Sequence, residues 1–197
     1  LGNIMTDAPT APAGPYQDGA ASGVWSLAEA LSYTKGGLWP IAGAARGLFH
    51  LGNTTGNAAD NVNTIEQINT ASTGNSTDFG DRTVAVSTDG ALASATRGVF
   101  AGGQANTDVI DYVTIASAGN AIDFGNLVAA AQGGAGLSSA TRGIIGGGYT
   151  NDEINTIQYI TIANTGNTTD FGDLTQARYI LASCGSPTRG IFSGGLA

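Results

Sequence analysis

One nine-residue phrase recurs along the chain and constrains its fold more than any other feature. It reads ATRGVFAGG at residues 95–103, ATRGIIGGG at 140–148, PTRGIFSGG at 187–195 and, in a more divergent copy, AARGLFHLG at 44–52. The arginines of successive copies are 51, 45 and 47 residues apart. Self-similarity at such a period is the signature of a repeat architecture. The sequence therefore predicts an array of similar units.

A second phrase recurs in phase with the first and predicts strands. It reads TGNSTDFGD at residues 73–81, AGNAIDFGN at 118–126 and TGNTTDFGD at 165–173, each time after an alternating segment such as 157–162. Alternation of β-branched and polar residues bounded by Gly and Asn indicates strands. Gly-Asn between two strands predicts a hairpin turn, because both residues tolerate positive φ. One unit is then four strands: the alternating segment, the Asp-Phe-Gly segment, a small-residue strand such as 179–183, and the Arg-Gly strand.

Length variation is confined to one connection of the repeat. Each Phe of Asp-Phe-Gly precedes the next repeat arginine by 18 residues, whereas each arginine precedes the next such Phe by 33, 27 and 29 residues. Insertions in a repeat array map to loops on one face, often the binding face. The predicted binding residues therefore belong to the connections after the glycine pairs: Asn53, Asp60, Asn106, Asp108, Tyr149, Asp152 and Glu153.

Other recurring residues are predicted to be structural. The arginines are expected to hold turns through hydrogen bonds to carbonyls or to a nearby Asp, and a ligand channel lined by them is the alternative. The structural repeat residues are Arg46, Arg97, Arg142, Arg189, Phe79, Phe124 and Phe171.

Residues 44–197 resemble kelch-type β-propeller blades, although they lack the Tyr and Trp pair usual in that family. They are more similar to a Gly- and Thr-rich variety, through YITIA at residues 159–163, DFGDL at 170–174 and TRGIFSGG at 188–195. Such repeats are found in virion proteins of tailed phages, mainly in tail fibres or appendages. The lead-in at residues 23–27 and 38–40 is also similar to segments that precede those repeats. The resemblance implies an all-β fold and a location on a virion or outside the cell.

The number of units predicts an incomplete array. Four Arg-Gly strands but three Asp-Phe-Gly segments make about three and a half four-stranded units, with exposed strand edges at the end. We therefore expect a neighbouring chain or further sequence to complete the last sheet. A parallel β-solenoid with two rungs per repeat is the alternative fold, which the Gly-Asn hairpins disfavour.

Residues 1–43 are predicted to form an N-terminal arm for docking or assembly. The Pro- and Ala-rich start indicates an extended segment. A short helix should follow, because Ser26 and Glu29 form a capping box and Gly36-Gly37 supplies the stop. The arm either attaches to a neighbouring subunit or covers one end of the β domain.

Composition and charge exclude several classes of function. The net charge of −8, with seven Lys and Arg residues, leaves no basic face for nucleic acid or an anionic membrane. No apolar span is long enough to predict membrane insertion. The single histidine, His50, excludes a multi-histidine metal site and provides no credible triad with Cys184. The lone Cys184 lies in an apolar run and is predicted to be a buried small hydrophobe.

Three hypotheses for function follow. The first is a non-enzymatic structural or adhesion protein of a phage virion exterior, without cofactor or metal, which forms a homo-oligomer through the arm and the C-terminal half-unit. Its variable loops would contact a host glycan or a partner subunit. The second is a self-assembling subunit of an extracellular filament. The third, disfavoured because most acids occupy turn positions, is a carbohydrate-active enzyme; a weak calcium site on the loops is a further alternative.

Overall fold

The computed structural model describes residues 46–104 and 106–197, and their regular structure is almost entirely β. The arm and short helix predicted for residues 1–43 lie outside the described residues. A single 3-10 turn occurs at Ala58–Asp60. The strands are β1 (Arg46–His50), β2 (Thr64–Asn69), β3 (Thr77–Asp81), β4 (Gly90–Ala93), β5 (Arg97–Ala101), β6 (Val109–Thr114), β7 (Ile122–Asn126), β8 (Ala135–Ser138), β9 (Arg142–Tyr149), β10 (Glu153–Thr161), β11 (Thr169–Asp173), β12 (Ala182–Gly185) and β13 (Gly190–Ser193).

The strands form four antiparallel sheets that follow one another along the chain. Their orders are β1-β2-β3, β4-β5-β6-β7, β8-β9-β10-β11 and β12-β13. The all-β prediction is confirmed. The alternative of a parallel solenoid is wrong, because every strand pairing in the described part of the chain is antiparallel.

The division of the repeat into sheets differs from the sequence-based prediction by one hairpin. The second, third and fourth sheets start at the small-residue strand, so the variable connection after the glycine pair joins two strands of one sheet. The constant-length segment after Asp-Phe-Gly instead crosses between sheets. It is held near both ends by backbone hydrogen bonds, such as Leu127 N to Asp108 O (2.7 Å) and Gly133 N to Thr88 O (2.6 Å). Those fixed anchors explain why the length of this crossing does not vary.

The first strands of successive sheets pack closely side by side. A Cβ atom on Gly136 of β8 would lie 2.4 Å from the carbonyl oxygen of Ala91 in β4, so only glycine allows this approach. Ser138 Oγ also donates to Ala93 O at 2.6 Å, and Ser183 Oγ donates to Gly136 O at 2.6 Å across the next pair of sheets. The small residues of these strands thus set the spacing between sheets.

The Gly-Asn connections bond to the outer strand of the preceding sheet. Gly119 N donates to Phe79 O (2.8 Å), and Asn120 Oδ1 accepts from Asp81 N (3.1 Å). One repeat later, Gly166 N donates to Phe124 O (2.7 Å). The hairpins are present, and among their Gly-Asn pairs positive φ occurs only at Gly166 (156°). The connections span seven residues rather than two, which leaves the Asn side chain available for the neighbouring sheet.

The apolar core lies between sheets and thins toward the C-terminal end of the described chain. Phe79 and Phe124 are each 2% exposed, whereas the equivalent Phe171 is 50% exposed. Cys184 is exposed, so its predicted burial is wrong. Its equivalents Leu92 and Leu137 are covered by Gly143 and Gly190 of the following sheet. No sheet follows β13 among the described residues, so nothing there covers Cys184.

Candidate functional site

The three connections after the glycine pairs contact each other in chain order. They are residues 51–63 between β1 and β2, 102–108 between β5 and β6, and 150–152 between β9 and β10. Asn61 Nδ2 donates to Gln104 Oε1 at 3.0 Å, and Asn106 Nδ2 donates to Thr150 O at 2.6 Å. We call the surface that these connections form the loop face.

A cleft of about 410 Å³ opens on the loop face. Apart from Gly56, its lining consists of three repeat positions, each contributed by two or three copies. The first position directly follows the glycine pair. The second position lies three residues before each small-residue strand, and the third position is the residue after the second. The lining residues are Asn53 and Gln104, then Ser87, Gln132 and Tyr179, then Thr88, Gly133 and Ile180.

A chain of side-chain amides fixes the orientation of Gln104. Asn53 Oδ1 accepts from the backbone amides of Thr55 (3.0 Å) and Gly56, so its Nδ2 faces Asn61 Oδ1 at 2.9 Å. Asn61 in turn donates its Nδ2 to Gln104 Oε1, which also accepts from Ser87 Oγ at 2.8 Å. Gln104 Nε2 has no partner among the described residues. It is therefore a preorganised donor at the cleft wall.

Tyr179 contributes an aromatic ring to the wall, and Tyr149 packs against that ring. The rings of Tyr149 and Tyr179 lie 5.3 Å apart between centroids at 45°, and Tyr179 lines the cleft. Tyr149 also exchanges backbone hydrogen bonds with Gln132 (3.1 and 2.9 Å), while the Gln132 side chain has no partner in the described part of the chain. An aromatic ring beside free amide groups matches the apolar faces and hydroxyl edges of a sugar.

The cleft floor contains left-handed backbone at equivalent positions of three repeats. The φ angles are 57° at Thr88, 67° at Gly133 and 54° at Ile180. Gly133 N donates to Thr88 O, and Ile180 N donates to Gly133 O at 2.7 Å. This conformation is strained for a β-branched residue. Such strain clusters at functional sites.

The predicted binding residues are only partly brought together. Of the seven, Asn53 alone lines the cleft. Tyr149 is half-buried behind Tyr179 rather than exposed, and Asp60 accepts a hydrogen bond from Thr55 within its own loop. Asp152 is exposed, and the remaining three residues are half-buried near the strand ends. In residues 46–104 and 106–197, no three His, Cys, Asp or Glu side chains are grouped to hold a metal ion.

Sequence reasoning missed five polar or aromatic cleft residues. They are Ser87, Thr88, Gln104, Gln132 and Tyr179. A signal was nevertheless present, because the position after the glycine pair changes from Asn53 to Gln104 to Tyr149 while its neighbours repeat. A position that varies within a constant repeat frame is a better guide to the cleft than loop length is.

Two of the repeat arginines contact the next sheet. Arg46 Nη1 donates to Ile115 O at 2.7 Å, and Arg97 Nη1 donates to Ile162 O at 2.8 Å. Within a sheet, the guanidinium of Arg97 lies 4.4 Å from the ring centroid of Tyr112, and that of Arg142 lies 4.7 Å from that of Tyr159. None of these arginines lines the cleft.

A buried charged cluster lies between the first two sheets. Arg82 Nε donates to Asp111 Oδ1 at 2.9 Å, and Arg82 Nη1 donates to Asp89 Oδ2 at 3.0 Å. His50 Nδ1 contacts Asp89 Oδ1 at 2.9 Å, and Asp111 Oδ2 accepts from the amide and hydroxyl of Thr83 at 2.8 Å each. The side chains of Arg82 and Asp111 are fully buried, so the cluster joins sheets and is closed to a substrate.

No protein-family model matches the chain, and no curated protein matches it significantly. Within the described ranges, no helix is long and apolar enough to cross a membrane.

Proposed function

We propose that this chain is a non-enzymatic structural and adhesion protein of a phage virion exterior, a tail fibre or appendage, that binds a host glycan at the loop-face cleft. The observation that carries the proposal is the cleft itself, which the fixed Gln104 donor and the ring of Tyr179 both line. Polar groups that are held in place before binding reduce the entropy lost when a ligand binds.

Kelch-like propeller architecture is part of this proposal. It is supported by two complete four-stranded antiparallel meanders that pack through their first strands. It is also supported by the gathering of all three variable connections on the loop face. In that arrangement the repeats are a rigid scaffold, and ligand specificity comes from the few positions that differ between copies.

Binding without catalysis is favoured by the residues that line the cleft. They include amides, hydroxyls, glycine backbone and one phenol, but no carboxylate and no histidine. Glycoside hydrolysis by the usual route needs a pair of carboxyl groups flanking the scissile bond. We accordingly expect an oligosaccharide to leave the protein unchanged.

An array of bacterial surface oligosaccharides, followed by calorimetry on the best ligand, tests the proposal. Gln104→Glu keeps the acceptor for Asn61 and Ser87 but replaces the Nε2 donor with a second acceptor. It should weaken binding by about tenfold or more. The matched control is Gln176→Glu, since Gln176 is exposed outside the cleft and also uses Oε1 as an acceptor, from Arg178.

Three outcomes would contradict the proposal. They are the absence of any oligosaccharide ligand, equal effects of Gln104→Glu and Gln176→Glu, and cleavage of the bound oligosaccharide detected by mass spectrometry.

The second candidate function is a filament subunit, which the open strand edge of β11 favours. Negative-stain imaging of the purified protein distinguishes this candidate from the first. Indefinite helical filaments would support that candidate, whereas discrete fibres or rings would support the first.

A further inference from the structure

An open apolar slot lies between the sheet β8–β11 and the sheet β12–β13. Its volume is about 450 Å³. Both sheets contribute apolar side chains to its walls, and the exposed Phe171 lies at its outer end. The strands contribute five apolar side chains to its lining, Leu137, Ile144, Ile157, Phe171 and Phe192, and Pro187, Gly190 and seven Ser, Thr and Arg residues complete it.

One repeat earlier, the same space is filled. The equivalents of the slot residues belong to a single buried cluster: Leu92, Val99, Ile110, Phe124 and Ile145. Two further members of that cluster, Ile160 and Ile162, come from β10 and the residue that follows it in the next sheet. With these two isoleucines in place, Phe124 is 2% exposed, compared with 50% for Phe171. The slot therefore lacks an Ile-x-Ile strand.

The polar groups that receive this strand are also in position. Phe124 O and Asn126 O accept from Gly166 N (2.7 Å) and Thr168 N (2.9 Å), and Asn126 N donates to Asn167 Oδ1 (3.0 Å). The equivalent atoms of Phe171 and Asp173 have no partner among the described residues.

The space beside Gly172 is open in the same way. A Cβ on Gly125 would lie 2.4 Å from Gly166 O, while a Cβ on Gly172 would meet nothing within 4 Å. Arg142 stacks on Tyr159 as Arg97 stacks on Tyr112, but only Arg97 has a carbonyl acceptor from a following sheet among the described residues.

We propose that the slot binds a β-hairpin of the repeat's own kind that is not among the described strands of this chain. The hairpin has Ile-x-Ile on the strand that pairs with the free edge of β13 and Gly-Asn in the connection that bonds to β11. This inference rests on the assembly part of the proposed function and identifies the chemistry of the partner. Two interfaces of the same design already exist inside the chain, so the contacts are read from this protein's own geometry.

Within its described residues, a second copy of this chain does not offer such a hairpin. Its nearest candidate is β2–β3, but the inner edge of β2 is already paired with β1 over five residue pairs. The place of Ile162 is also taken by Thr70 in that copy. The partner hairpin must instead have a free inner edge and two apolar residues.

A synthetic peptide of residues 153–173, labelled with a fluorophore, tests the proposal by anisotropy against the full chain. We expect saturable 1:1 binding. A peptide with Ile160→Ser and Ile162→Ser should bind at least about tenfold more weakly, because two buried apolar side chains are lost. In the protein, Phe171→Ser should reduce binding similarly. Ile122→Ser, which changes an equally exposed residue on the outer strand β7, should leave binding unchanged.

The inference would be overturned if the peptide did not bind, or if it bound equally to the Phe171→Ser protein. It would also be overturned if the wild-type chain self-associated in sedimentation and Phe171→Ser abolished that association, because the occupant would then be a second copy.

A covalent version of the experiment serves if the isolated peptide folds poorly. A copy of residues 149–173 appended after Ala197 should raise Tm by about 5 °C or more, and the same extension with both serines should not. Failure of both versions overturns the inference. Oligosaccharide binding measured on the Phe171→Ser protein keeps the two proposals separate: retained binding would leave the cleft assignment standing without the slot.

Discussion

Ile180 adopts a conformation that its side chain resists. Its φ is 54°, it is β-branched, and its side chain is 58% exposed, so it gains little from burial. Its amide is nevertheless needed, because Ile180 N donates to Gly133 O at 2.7 Å and continues the ladder that began at Thr88. At the middle position of this ladder the chain has glycine, the residue for which left-handed backbone has no steric cost.

Ile180→Gly should therefore increase the free energy of unfolding. Left-handed backbone costs an L-residue about 1–2 kcal/mol, and the greater flexibility of glycine in the unfolded chain offsets part of that gain. We expect a net gain of about 1 kcal/mol in denaturant unfolding. The control Ile122→Gly changes an equally exposed isoleucine on strand β7 with ordinary φ; it should instead lose about 1 kcal/mol. Similar losses in both variants would contradict the strain at Ile180.

At the scale of the elements, two interfaces of the same design use different chemistry. Between the first two sheets, Arg82 pairs with Asp111. Between the next two, Leu127 and Gln158 occupy the equivalent positions: Leu127 joins the apolar cluster, and Gln158 bonds to the backbone of Ala129 and Val128 and to Thr168. The charged pair and the Leu-Gln pair are thus alternative solutions for one interface.

A double-mutant cycle should show that each pair works as a unit. Arg82→Leu alone leaves Asp111 buried without its cation, and Asp111→Gln alone removes one carboxylate partner of Arg82. Breaking a buried ion pair costs about 3–5 kcal/mol. The double variant should recover most of that loss, because it introduces the Leu-Gln pair of the neighbouring interface, leaves Asp89 in contact with His50, and removes the unpartnered Arg82 Nη2. Additive losses, measured by urea unfolding, would contradict this equivalence.

Much of the element-level pattern was readable from the sequence. Alternation and the two repeated phrases predicted the strands and the Gly-Asn hairpins, because period-2 patterning and turn residues act locally. The pairing of strands into sheets was not readable. A long variable loop suggested a boundary between units, yet the backbone bonds that hold the crossing segments join residues about 30–45 positions apart, such as Gly103 with Ala131 and Gly133 with Thr88.

The candidate site was predicted less well, for a physical reason. Loop length indicated the correct face and included Asn53, but the wall is made by side-chain amides whose direction depends on the chain from Asn53 to Asn61 to Gln104. The predicted burial of Cys184 was wrong for a similar reason. Its apolar neighbours suggested burial, although burial at that position comes from the following sheet, as Gly190 of β13 covers Leu137.

At the scale of the whole described molecule, stability should vary along the array. In a repeat protein each unit contacts only its neighbours, so units flanked on both sides are held by two interfaces and terminal ones by fewer. The sheet β4–β7 has a described neighbour on each side, whereas β12–β13 has one described neighbour, the sheet β8–β11. Local opening should accordingly be easiest at β12–β13.

Hydrogen exchange offers an internal comparison for this gradient, because the Gly-Asn phrase gives three glycine amides in similar local sequence. Gly119 N and Gly166 N donate to carbonyls of the preceding sheet at 2.8 and 2.7 Å, and Gly74 N has no acceptor in the described chain. We expect Gly119 and Gly166 to exchange at least about tenfold more slowly than Gly74. Backbone amides of β4–β7 should also exchange more slowly than those of β12–β13. Equal protection of all three glycine amides would mean that the contacts between sheets do not persist in solution. Uniform protection of the strand amides across all four sheets would mean that the array opens as one unit. Selective protection of Gly119 and Gly166 would show that the bonds between sheets, and not the hairpins themselves, determine which repeats stay closed.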